Sequence, residues 1–106
     1  MSKILNTSLL AIVLTASSSI AFADNKTGKK TYEQVCSACH ASGAAGSPEF
    51  GDSTAWARRI AKGKAALYTS AINGKGAMPA KGGQTSLSDE VIKATVDYMV
   101  SNSSKI

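Results

Sequence analysis

The chain holds two cysteines and one histidine, and all three stand together as Cys36-Ser37-Ala38-Cys39-His40. On a helical turn, positions i, i+3 and i+4 share one face. The two thiols and the imidazole would thus be presented on one side of a single turn. C-x-x-C-H is the attachment signature of haem c. Cys36 and Cys39 can form thioethers with two vinyl groups of one porphyrin, while His40 reaches the iron from the same side. A structural zinc site wants four Cys or His ligands, which is more than this sequence has. A thiol–disulfide oxidoreductase expects a βαβ setting that is absent from the pattern. A plain disulfide suits an oxidising compartment but gives His40 no role.

The second axial ligand must come from another residue type, because there is no second histidine. Met78 and Met99 are the candidates, with lysines as weaker ones. Met99 falls on the apolar stripe of a helix, where methionine usually fills core space. Met78 sits in a glycine-rich segment and is followed by Pro79, which stiffens the backbone. Gly74 and Gly76 would let that segment lie close against a flat ring. Met78 is the favoured ligand. With His40 and Met78 both bound, no position is left open for oxygen or peroxide. That pattern reads as an electron carrier, not an enzyme.

The elements that must hold these groups read as helices. The first is predicted over 30–38, after a polar and frayed lead-in at 24–29. Residues 41–52 contain three glycines and Pro48 and read as a loop. Asp52 or Ser53 can cap a short helix carrying Trp56 and Ile60, with Gly63 at its end. A third helix fits 64–73, with Leu67, Tyr68, Ala71 and Ile72 on one face. Residues 74–86 should form an extended loop. Ser88 is a candidate N-cap for the last helix, with Asp89 and Glu90 complementing its dipole and Ile92, Val96, Met99 and Val100 forming its stripe. No run alternates with period two and no repeat is visible. The fold class is all-α, with about four short helices around one covalent haem.

A chain of 106 residues makes one domain at most. Lys3, the apolar run Leu9–Leu14 and the small residues around Ala21-Phe22-Ala23 have the order of a bacterial secretory signal, cleaved after Ala23. Serines and Thr15 interrupt the apolar run, which is short for a membrane span of about 20 residues. The expected organisation is a signal at 1–23 and a haem-binding domain at 24–106, located in the periplasm. So small a domain buries little apolar surface unaided, and a large apolar cofactor would serve as its core. Loss of Lys3 with the signal takes one charge from the formal +5 of the whole chain. The mildly basic surface suits acidic partners or anionic membrane faces. Dispersed basic residues with few aromatics among them argue against nucleic acid.

The mature chain resembles the class I cytochromes c, in particular bacterial cytochrome c5. The resemblance is carried by Tyr32 to His40, Gly43 to Asp52 with Pro48, Asn73-Gly74-Lys75-Gly76-Ala77-Met78-Pro79, Leu87-Ser88-Asp89-Glu90 and Tyr98-Met99-Val100. It implies that Gly28 and Tyr32 pack across the last helix, with Tyr98 as the counterpart. It also implies that the Pro48 carbonyl accepts the other ring N–H of His40, and that the Trp56 indole donates to a haem propionate. Arg58 or Arg59 can pair with a propionate; the sequence leaves open which, and Arg59 is counted among the candidate contacts. Members of the c5 group commonly carry a further cysteine pair after the methionine, which residues 81–88 lack.

The implied role is that of a soluble, monomeric shuttle with at most peripheral membrane contact. Its partners would be a quinol-oxidising complex and a terminal oxidase or reductase, approached through Lys75 and Lys81. The alternatives are a haem peroxidase or a gas sensor in which Met78 dissociates. The peroxidase is disfavoured by the lack of a second histidine or other distal acid–base group, and the sensor would need a weak or absent sixth ligand.

Overall fold

The computed structural model describes residues 20–104. Of the predicted secretory signal, only residues 20–23 fall within that range. Helix α1 (Ile20–Thr31) runs through a π-helical turn (Tyr32–Cys36) into α2 (Ser37–His40). After the loop come α3 (Ser53–Ala61), α4 (Lys64–Asn73) and α5 (Asp89–Ser101). Counting the unbroken run from α1 to α2 as one, this is an all-α fold of four helical segments. Among the described residues there is no strand, only an isolated antiparallel bridge between Lys75 and Met78.

The local causes are those that helix chemistry dictates. Asp52 caps α3 by accepting from Ala55 N at 3.1 Å, and Ser88 caps α5 by accepting from Val91 N at 3.1 Å. Asp89 and Glu90 occupy the first turn of α5, where negative charge meets the positive end of the helix dipole. Ile92, Val96, Met99 and Val100 are all buried and meet Tyr32, Trp56 and Ala71 in one core. Met99 is among the most enclosed of them, at 4% exposure.

The first helix differs from the sequence expectation. Residues 24–29, predicted as a frayed lead-in, are helical. The reason is a contact that carries no apolar signature. Gly28 lies so close to α5 that a Cβ there would stand 2.4 Å from the Ala94 carbonyl oxygen and 3.0 Å from Tyr98 Cβ. Main chain packs on main chain, so a polar stretch is held helical by tertiary contact. One turn further on, Tyr32, Phe50 and Tyr98 form a three-ring cluster, with centroids 4.5, 5.5 and 5.9 Å apart. This cluster ties the first helix, the 41–52 loop and α5 together directly beside Cys36. Burial, ahead of the neighbouring Cys36, Tyr98 and Glu49, raises the pKa of the Tyr32 hydroxyl.

Candidate functional site

The π-helical turn delivers the three-residue constellation. The Ser37 amide bonds to the Tyr32 carbonyl, and the Ser37 hydroxyl donates to the Glu33 carbonyl at 2.9 Å. Cys36 is half-buried and Cys39 exposed, and their sulfurs are not joined. Burial pushes the Cys36 thiol up to about 11. His40 is only 7% exposed. Its Nδ1 lies 2.8 Å from the Pro48 carbonyl oxygen. A carbonyl only accepts, so Nδ1 carries a hydrogen, and in the neutral imidazole Nε2 then presents its lone pair. The His40 carbonyl in turn accepts from Phe50 N at 2.7 Å, which fixes the return of the loop.

Trp56 is 5% exposed, with its ring centroid 6.0 Å from that of His40. Its position beside the imidazole suits a cofactor wall, but its indole N–H donates to the Glu49 carbonyl at 3.0 Å. An indole has a single donor, and in this structure the main chain takes it. Arg59 is half-buried and donates from Nη1 to the Ala55 carbonyl of its own helix at 2.7 Å, while Arg58 is exposed.

Met78 is half-buried and packs against the main core. Its segment is a tight hairpin in which Lys75 N donates to Met78 O and Met78 N donates to Lys75 O, both at 2.9 Å. Gly74 makes this possible: it has φ +90, and a Cβ there would stand 3.0 Å from both Ala80 N and Met78 O. Lys75 is exposed. Lys81 is not the free surface cation the sequence suggested. Its ammonium donates to the Leu87 carbonyl at 2.6 Å and pairs with Asp89 at 3.0 Å, leaving the side chain 16% exposed.

Sequence reasoning passed over two supports of the site. Ser103 is 1% exposed and its hydroxyl accepts from Gly51 N at 2.8 Å, tying the C-terminus to the loop that holds Pro48. A serine near a chain end carries no signal of this. Phe50, the third ring of the aromatic cluster, was visible as an aromatic residue in a glycine-rich loop.

The residues present fit a haem. A nearly enclosed imidazole has one nitrogen fixed by main chain and the other without a polar partner among the described residues, as an axial ligand requires. Cys36 stands one turn before it and Cys39 directly before it, and an uncharged thioether, Met78, lies in the loop after α4. No three His, Cys, Asp or Glu side chains gather as a metal cluster among the described residues.

Comparison with known proteins agrees with this geometry. A family model described as cytochrome c oxidase, cbb3-type, subunit III, matches residues 23–99. The chain is 40% identical to cytochrome c-555 of Chlorobaculum tepidum, over 97% of this chain and 99% of the relative. It is 37% identical to cytochrome c5 of Azotobacter vinelandii, over 70% of this chain and 92% of that one. A solved structure described as an electron transfer complex of nitrite reductase with cytochrome c contains a chain that is 43% identical, with a TM-score of 0.69, covering 73% of this chain and 94% of that one. The chain belongs to the cytochrome c family, among the class I monohaem c-type cytochromes. These are electron carriers rather than enzymes.

Proposed function

We propose that residues 24–106, freed of a secretory signal by cleavage after Ala23, form a periplasmic shuttle with one haem c. Cys36 and Cys39 would hold it as thioethers, with His40 and Met78 as axial ligands. A haem bound in this way supplies one-electron exchange between ferrous and ferric iron. The observation that carries the reading is the buried His40 imidazole, oriented through Nδ1 by the Pro48 carbonyl and offering Nε2 beside two thiols.

The chain's own residues then set the conditions of transfer. The Pro48 carbonyl holds the imidazole in one tautomer and orientation and increases its basicity as a ligand. As a ligand, the neutral thioether of Met78 would favour the reduced state and raise the potential above that of bis-imidazole ligation. Trp56 and the apolar side chains around it keep water from the imidazole side, which limits the reorganisation that accompanies each electron. No described helix is long and apolar enough to cross a membrane. The partners would be proteins that give or take single electrons, a quinol-oxidising complex on one side and a terminal oxidase or reductase on the other. The solved relative found with nitrite reductase makes a reductase of that kind a first choice to try. Lys75 would contribute to the docking face, and Lys81, tied to Asp89, would contribute little.

The test is stopped-flow mixing of the reduced mature protein with nitrite reductase, and separately with carbon monoxide. Second-order oxidation by the reductase together with slow or absent carbon monoxide binding is the predicted result. Fast carbon monoxide binding would instead mean an open or labile sixth position, as a sensor or peroxidase needs.

A further inference from the structure

Lys81 combines features that a solvated surface lysine does not need. It sits with φ 53, in the left-handed region that disfavours residues with a Cβ. Its ammonium lies at the N-terminal end of α5, where the helix dipole is unfavourable for a cation. Its side chain is largely withdrawn from water. Such a placement is tolerated only when the ammonium gains specific partners, and it has two: the Leu87 carbonyl at 2.6 Å and the Asp89 carboxylate at 3.0 Å.

These two contacts close the excursion between Met78 and α5. Gly82 N donates to the Pro79 carbonyl at 3.1 Å, Gln84 N to the Lys81 carbonyl at 3.0 Å and Leu87 N to the Gln84 carbonyl at 3.0 Å. The loop also lies against the first helix, since a Cβ at Gly82 would stand 2.7 Å from Val35 Cγ1, one residue before Cys36. On its N-terminal side Met78 is fixed by the hairpin with Lys75. On its C-terminal side, the Lys81 bonds join the Gly82–Val35 contact in holding the loop to the rest of the fold.

We propose that Lys81 is a positioning residue for Met78, an ionic clasp that fastens the Met78 loop to the start of α5 and sets how firmly the thioether is presented. The proposal rests on the reading of Met78 as the sixth ligand. A charged hydrogen bond of this kind contributes enough to change local opening by about tenfold or more.

The test uses the mature holoprotein and its Lys81→Met, Lys81→Arg, Asp89→Asn and Met78→Ala variants. Two readouts are followed: hydrogen exchange at the Gly82, Gln84 and Leu87 amides, and the temperature at which the near-red sulfur-to-iron band fades. Lys81→Met should lower protection of those amides about tenfold. It should also make the band fade well below the temperature at which helical structure melts. Lys81→Arg should restore much of both, and Asp89→Asn should have a smaller effect because the Leu87 bond remains. Unchanged protection and an unchanged band midpoint in Lys81→Met would overturn the clasp. Should Lys81→Met not fold, the same comparison in Asp89→Asn decides, and no change there overturns it. If Met78→Ala keeps the band, the ligand reading fails by itself, while amide protection still decides on the clasp.

Discussion

Tyr68 shows how a single side chain gives the fold a pH dependence. Burial first, then the hydrogen bond and charge of Asp97 at 2.6 Å, push its hydroxyl up to about 12. An unfolded tyrosine loses its proton near 10.0, so the folded state holds the proton more tightly. The resulting stabilisation is complete below pH 10 and is lost as the pH rises towards 12. Denaturant midpoints measured across that window should fall less steeply in Tyr68→Phe than in the parent. Ser103→Ala should cost about 0.5–1.5 kcal/mol, because it removes the side-chain acceptor of the Gly51 amide. Equilibrium unfolding in urea checks it. At this scale the sequence was most readable where chemistry demands a residue type. The proposed haem-binding residues Cys36, Cys39 and His40 stand out by spacing, and the proposed ligand Met78 by lacking a helix to pack. It was least readable where the partner is main chain. The Trp56 donor goes to the Glu49 carbonyl and the Lys81 ammonium to the Leu87 carbonyl. Neither acceptor has a residue type to give it away.

Helices α3, α4 and α5 begin and end close to where caps and glycines place them, because Asp52, Gly63, Gly74 and Ser88 act locally. The start of the first helix does not follow from local chemistry. Its polar residues 24–29 are ordered by the crossing of Gly28 over Ala94, a contact between backbones distant in sequence. Gly28→Ala sets two effects against each other. Helix propensity favours alanine by about 1 kcal/mol. Overpacking costs about 1–3 kcal/mol, and here the new Cβ meets a backbone carbonyl at 2.4 Å that no rotamer change can relieve. The clash should win, with a net destabilisation of up to about 2 kcal/mol in urea unfolding. The π-helical turn at Tyr32–Cys36 was likewise unreadable, since nothing in those five residues distinguishes it from an ordinary α-helical turn.

For the whole molecule, the described core is small. Seven buried side chains form it, while Ile60, Leu67, Ile72, Met78 and Leu87 remain only partly covered. A domain of this size has little apolar surface to spare, and a covalent porphyrin would complete what these side chains leave open. A double variant, Cys36→Ala with Cys39→Ala, expressed without bound haem, should keep much of its helical circular dichroism. It should lose a sharp thermal transition, as expected when cofactor and core are one structure. The all-α class was legible because no stretch carries a strand period. A place for a cofactor in the core is suggested only indirectly, by the small size of the domain.

The central claim, a haem c held by Cys36, Cys39, His40 and Met78, is tested most directly by the optical spectrum of the mature protein. The protein should be secreted from a host with c-type maturation machinery, and the spectrum taken before and after acid–acetone extraction. The account predicts haem that resists extraction, a low-spin spectrum and a near-red sulfur-to-iron band that disappears in Met78→Ala. Extractable haem would contradict the thioethers, and a high-spin spectrum without that band would contradict ligation by Met78.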